Sequence, residues 1–72
     1  MASRIYKYIR SSNLLGASYD AENKKLYIQF TSGGEYVYND VPAEVYEELL
    51  DASSAGSYFA NNIKNVYDYS RI

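Results

Sequence analysis

Apolar positions in this chain change period part-way along. Before residue 42 they recur at every second position, and after it at every third or fourth. The clearest stretch of the first kind is "KKLYIQFT" at 24–31. There Leu26, Ile28 and Phe30 alternate with Tyr27, Gln29 and Thr31, as in a half-buried strand. "SGG" at 32–34 predicts a hairpin turn, because glycine accepts the positive φ such turns demand. "EYVYND" is then the partner strand. Upstream, "LLGASYD" at 14–20 is a second extended segment with Leu15, Ala17 and Tyr19 on one face, and "DAEN" at 20–23 is the turn that follows it. "RIYKYIR" at 4–10 also alternates, with Ile5, Lys7 and Ile9 opposite Tyr6, Tyr8 and Arg10. It reads as an N-terminal arm or edge strand spanning residues 1–10, ahead of a single domain over 11–72.

Pro42 marks the change of period, and its missing N–H suits the first position of a helix. "AEVYEELLDA" places Val45, Tyr46, Leu49 and Leu50 on one stripe and Glu44, Glu48 and Asp51 on the other side. "SSAG" at 53–56 ends that helix, and Ser53 or Ser54 is positioned to cap the next. "SYFANNIKNVY" gathers Phe59, Ile63 and Val66 on a second amphipathic helix, while "DYSRI" at the end carries no period. Strands first and helices after predict an α+β fold: a small antiparallel meander of three or four strands, then two amphipathic helices packed on one face.

Composition narrows the chemistry. Seventy-two residues make one small domain with a modest core. With no cysteine and no histidine, disulfides and ordinary zinc or iron sites are excluded, leaving efficient packing and self-association as the sources of stability. A homo-oligomer is therefore expected, with any ligand pocket between subunits. The catalytic inventory lacks the usual bases and strong nucleophiles, so a non-enzymatic role without cofactor or metal is expected. Glu44, Glu48 and Asp51 read as a solvated helix face. No apolar run approaches the roughly 18 residues of a membrane span, and no signal-peptide core opens the chain. A cytoplasmic protein with no membrane partner is the expectation.

The ten tyrosines must be sorted between core and surface. Tyr36 and Tyr38 share one face of their strand and Val37 takes the other. Tyr19, on a face with Leu15 and Ala17, makes tyrosine plausible inside, which favours Tyr36 and Tyr38 as core. Their hydroxyls would then need partners, with Ser11, Ser12, Asn61 and Asn62 as candidates. The predicted core is Tyr19, Leu26, Ile28, Phe30, Tyr36, Tyr38, Leu49, Phe59 and Ile63. Tyr27 would point outward and form a contact patch with Val37 across the hairpin, and Tyr67 and Tyr69 would be exposed.

Several words of this sequence, in their order, resemble the KTSC family, a short domain named for its occurrence at the C-terminus of some lysyl-tRNA synthetases. It also occurs as a free-standing small protein of bacteria and phages. The words are "SS" at 11–12, "YD" at 19–20, "LYIQF" at 26–30, "SGGEYVYNDVP" at 32–42 and "VYEELLDASSAGSYFANNI" at 45–63, so the resemblance runs over about residues 9–72. It implies that the tyrosines of the Y-x-Y pair are kept while the position between them varies, as a core pair would be. The synthetase context implies RNA as a partner. This chain departs from the family in its acidic balance, net charge −2, with only Lys64 and Arg71 left in a C-terminal segment that tends to be basic.

Two functions follow as expectations. The first is a non-catalytic module for a nucleotide-containing ligand, RNA or a small nucleotide. Phosphate would be neutralised by lysine and arginine and bases stacked on aromatic rings. Its contact candidates are Arg10, Lys24, Lys25, Tyr27, Lys64 and Arg71, with Arg4, Tyr6, Lys7 and Tyr8 in the basic arm. The alternative is a protein-interaction module, such as a phage accessory protein acting on a host factor, using the Tyr27–Val37 patch and the acidic helix. A purely structural self-assembling unit is the third possibility.

Overall fold

The structure, a computed structural model, describes residues 5–72. Arg4, a member of the expected basic arm, lies outside them. Among the described residues the strands are β1 (Lys7–Tyr8), β2 (Leu14–Asp20), β3 (Lys25–Phe30), β4 (Glu35–Tyr38) and β5 (Tyr69–Arg71). They form one antiparallel sheet in the order β1-β2-β3-β4-β5. Two helices, α1 (Ala43–Asp51) and α2 (Ala55–Asn62), lie between β4 and β5 in the chain. The α+β architecture is the expected one, but the tail adds a fifth strand. With three exposed residues, β5 has no alternation to betray it and exists because β4 offers an open edge.

Turn chemistry sets the register of the meander. Between β2 and β3 the Asp20 carboxylate accepts from the Glu22 and Asn23 backbone N–H groups and from the Asn23 side chain, at 3.1, 3.3 and 2.9 Å. These bonds hold its pKa below the usual carboxylate range, the Asn23 side chain contributing most. Between β3 and β4, Gly33 adopts φ +103°, a backbone region that side chains rarely enter, and its N–H donates to the Phe30 carbonyl at 2.9 Å. Register then puts Ile28 opposite Tyr36 and Leu26 opposite Tyr38, all on one face.

The core forms between that face and the helices. Leu14, Leu26, Ile28, Val41, Leu49 and Ile63 are fully buried, joined by Tyr38 and Phe59. Tyr19, Phe30 and Tyr36, expected inside, are half-buried at its margin. Tyr19 stacks on Tyr46, ring centroids 5.4 Å apart, and its hydroxyl donates to the Val41 carbonyl, tying β2 to the start of α1.

Two apolar side chains lie elsewhere than alternation predicts. The β2–β3 register shifts between Leu14 and Gly16, so Leu14 and Ala17 both face the core. Leu15 is the extra residue of this bulge and is turned out, 43% exposed. Val66 does not continue the stripe of α2 either. The Ile63 and Lys64 N–H groups both donate to the Phe59 carbonyl, closing the helix, and a turn carries Val66 outward, 61% exposed. Pro42 stands at the cap position of α1, and of the two candidate serines Ser54 caps α2, accepting from the Ser57 N–H at 3.3 Å.

On the opposite face, the Tyr6 hydroxyl donates to the Glu35 carboxylate. Its Cβ lies 3.3 Å from where a Cβ on Gly16 would stand. Residues 6–9 therefore lie against the sheet, and Ile9 is buried in the core.

Candidate functional site

Aromatic side chains from β3, β4, α2 and β5 meet where β3 ends. Phe30 makes edge contacts with Tyr36 and Phe59 at 5.4 and 5.5 Å between centroids, and Tyr38 does so with Phe59 at 5.6 Å. Tyr69, opposite Tyr38 in register, leans on both Tyr36 and Tyr38 at 5.6 and 5.4 Å. These rings line a cavity of about 350 Å³, with Asn13, Ser32, Lys64 and Asn65 at its polar margin. That volume falls within the range of small-molecule sites. It exists within one chain, without a second copy.

Tyr38 is the pivotal side chain. It is only 3% exposed, yet its hydroxyl has no hydrogen-bond partner among the described residues. No fully buried side-chain polar atom among those residues is unpaired, so this hydroxyl keeps some access to solvent, and its residue lines the cavity. Burial, then the neighbouring Tyr69 and Tyr36, push its pKa up to about 12. It is a firm phenol, able to donate to a carbonyl, ring nitrogen or phosphate oxygen. The expected hydroxyl partners play other parts. Ser11 Oγ donates to Asn13 Oδ1 and accepts from backbone N–H groups, and Asn62 donates to the Tyr58 carbonyl.

A second depression, about 570 Å³, adjoins the first. Arg10, Ser11, Ser12 and Asn13 form one wall and Ser53 to Ser57, with Ala60, the other. The walls touch closely: a Cβ on Gly56 would stand 2.8 Å from Asn13 Oδ1 and 3.3 Å from Ser11 Oγ. Gly56, without a side chain, leaves this space to the Ser11 and Asn13 side chains.

The six contact candidates divide between these spaces and the rest of the surface. Lys64 lines the aromatic cavity, Arg10 lines the polar groove, and Arg71 is opposite Tyr36 in register. Lys24 and Lys25 lie at the other end of β3, where Lys25 Nζ donates to Asn39 Oδ1 at 2.7 Å. Tyr27 is half-buried on the opposite face of the sheet, paired with Val37. Val37 is itself buried, 9% exposed, so the expected outward Tyr27–Val37 patch is not an open apolar surface. In the arm Tyr6 is engaged with Glu35, whereas Tyr8 is 76% exposed. Among the described residues no three carboxylates gather as a metal site. Glu48 instead accepts from the Tyr58 hydroxyl at 2.7 Å. No helix of the described residues is long and apolar enough to cross a membrane.

The sequence profile of the KTSC domain matches residues 10–67. The chain belongs to the KTSC domain family. A crystal structure of a KTSC domain protein from Yersinia pestis superposes with a TM-score of 0.92 at 31% identity, covering 97% of this chain and 99% of that one. An uncharacterised protein of Stutzerimonas stutzeri is 42% identical over 65 residues, 89% of this chain and 92% of its own length. A lysine–tRNA ligase of Trichormus variabilis is 39% identical over 54 residues, 75% of this chain but 10% of the ligase. The KTSC fold thus occurs both as a whole small protein and as a minor part of a long enzyme.

What sequence reasoning missed in this KTSC chain is Tyr69, Asn13 and Asn65. Tyr69 falls in the tail without period, Asn65 lies beside the apolar stripe of the expected second helix, and Asn13 lies in the loop between β1 and β2. The fold brings all three to one cavity, Tyr69 through the pairing of β5 with β4.

Proposed function

We propose that this KTSC protein is a non-catalytic binding module for a nucleotide-containing ligand, taken up in the aromatic cavity. The observation that carries this reading is the set of rings around Tyr38, with that residue in the cavity lining and Lys64 at its edge. A nucleobase is flat, apolar on its faces and polar at its rim. Stacking on an aromatic side chain contributes roughly 1–3 kcal/mol per base. The Tyr38 hydroxyl, Asn13 and Asn65 supply hydrogen bonds of either sense to a base edge. Lys64 adds a donor for acceptor atoms of the base edge, and Arg10 in the adjoining groove supplies a cation for phosphate. The relatives named as lysine–tRNA ligases act on a nucleic acid, which agrees with this class of ligand. The protein-interaction alternative draws on the Tyr27–Val37 surface, and the burial of Val37 removes its apolar half.

Nuclear magnetic resonance titration of the labelled chain with nucleosides, nucleotides and a short single-stranded RNA tests the proposal. Saturable shifts at Tyr38, Ala60, Lys64 and Tyr69 are expected. Absence of saturable shifts at millimolar concentration of every probe ends it.

A further inference from the structure

Resting on that reading, we infer that the ligand is a small phosphorylated nucleotide lying across both depressions. Its base occupies the aromatic cavity and its phosphates the groove beside Arg10. Asn13 and Ala60 line both spaces. The two spaces are therefore contiguous, and a single ligand can extend from one into the other.

The two spaces differ in chemistry in the way a nucleotide does. The cavity holds every ring contact made by Phe59 and Tyr69. The groove has no aromatic lining and offers a guanidinium with hydroxyls. The Ser12 and Ser53 hydroxyls have no partner among the described residues, so both are available to an anion. Guanidinium and hydroxyl groups together suit phosphate oxygens, through charge-assisted hydrogen bonds.

The same layout disfavours a long RNA. Polynucleotide affinity rises with the number of phosphates neutralised along a track. Here Arg10 stands at one end of the combined site and Lys64 at the other, Lys24 and Lys25 are remote at the start of β3, and the chain is acidic overall. One or two phosphates are what this arrangement can serve.

Calorimetry on the full chain tests the inference, with nucleosides, their 5′-diphosphates, inorganic pyrophosphate and a short single-stranded RNA as probes. Two variants accompany it, Arg10→Ala and Ala60→Glu, both at exposed positions, with circular dichroism melting to confirm folding. The diphosphate is expected to bind about tenfold or more tightly than its nucleoside. Arg10→Ala should bring the diphosphate down to the nucleoside's affinity, and Ala60→Glu, which places a carboxylate on the saddle, should do the same. Equal affinity for nucleoside and diphosphate would overturn the inference while leaving the nucleobase site standing. Pyrophosphate binding as tightly as the diphosphate, or RNA binding most tightly of all, would also overturn it. No binding by any probe would bring down both this inference and the reading beneath it.

Discussion

The Tyr6 hydroxyl donates to the Glu35 carboxylate, a hydrogen bond between residues 29 apart in the chain. The ring reaches that position because Gly16 has no side chain. A Cβ there would stand 2.9 Å from the Lys7 carbonyl oxygen and 3.3 Å from the Tyr6 Cβ. The first of these is backbone and cannot swing aside. Gly16→Ala should therefore cost roughly 1–3 kcal/mol as β1 is pushed from β2. Tyr6→Phe, which removes the hydroxyl bonded to Glu35 and keeps the ring, should cost about 1 kcal/mol. Urea unfolding followed by circular dichroism measures both, and equal stability of Gly16→Ala and the parent would show that the arm is not held as described.

The bulge in β2 makes two adjacent leucines unequal. Leu14 is fully buried and Leu15 is 43% exposed. Leu14→Ala should cost roughly 2–5 kcal/mol and Leu15→Ala no more than about 0.5 kcal/mol. Regular alternation would reverse that order, so comparing the two midpoints checks the register directly.

Tyr38 separates stability from binding. Removing its ring in Tyr38→Ala should destabilise by roughly 3–5 kcal/mol, the usual cost of truncating a buried aromatic. Tyr38→Phe deletes a hydroxyl without a protein partner among the described residues, and should change stability by less than about 1 kcal/mol. If the cavity binds nucleosides through that hydroxyl, Tyr38→Phe should still weaken them severalfold in the titration described above.

Alkaline pH should unfold the protein in a defined window. The Tyr38 pKa is raised from 10.0 to about 12, chiefly by burial. A raised folded-state value means that the native state favours the neutral phenol. The associated stability is complete below pH 10 and is lost as pH climbs toward about 12. For Tyr38 the loss is roughly 2–3 kcal/mol. Tyr19, Tyr46 and Tyr58 are raised as well, burial again being the first cause, and add in the same direction. Thermal melts from pH 9 to 12 should show a falling midpoint, with a shallower fall in Tyr38→Phe. A flat profile would contradict the burial of these phenols.

Much of this architecture is legible in the residues. The alternation of Leu26, Ile28 and Phe30 defines β3 and its buried face, and the change of period at Pro42 separates sheet from helices. What was illegible involves long-range pairing. Leu15 is displaced by a bulge that only the β2–β3 register reveals, and β5 is too short and too exposed to carry a pattern. The candidate site was half legible for the same reason. Charge singles out Lys64, Arg10 and Arg71, but alternation sorts Tyr36 and Tyr38 only between core and surface, in favour of core. The structure makes Tyr38 buried by area and open at its hydroxyl, and Tyr36 half-buried on the same wall. A division into inside and outside cannot express that.

Tyr69, which leans on Tyr36 and Tyr38, belongs to a three-residue strand whose residues are all exposed. Short peripheral strands open and close far below the energy of global unfolding. The cavity wall is therefore present only for the fraction of time that β5 is docked, and apparent affinity is reduced by that fraction. A ligand held against Tyr69 would repay this by slowing amide hydrogen exchange at Tyr69 to Ile72, including the Ile72 N–H that donates to the Glu35 carbonyl. Occupancy of the site and the order of the last strand become one equilibrium, readable from either end.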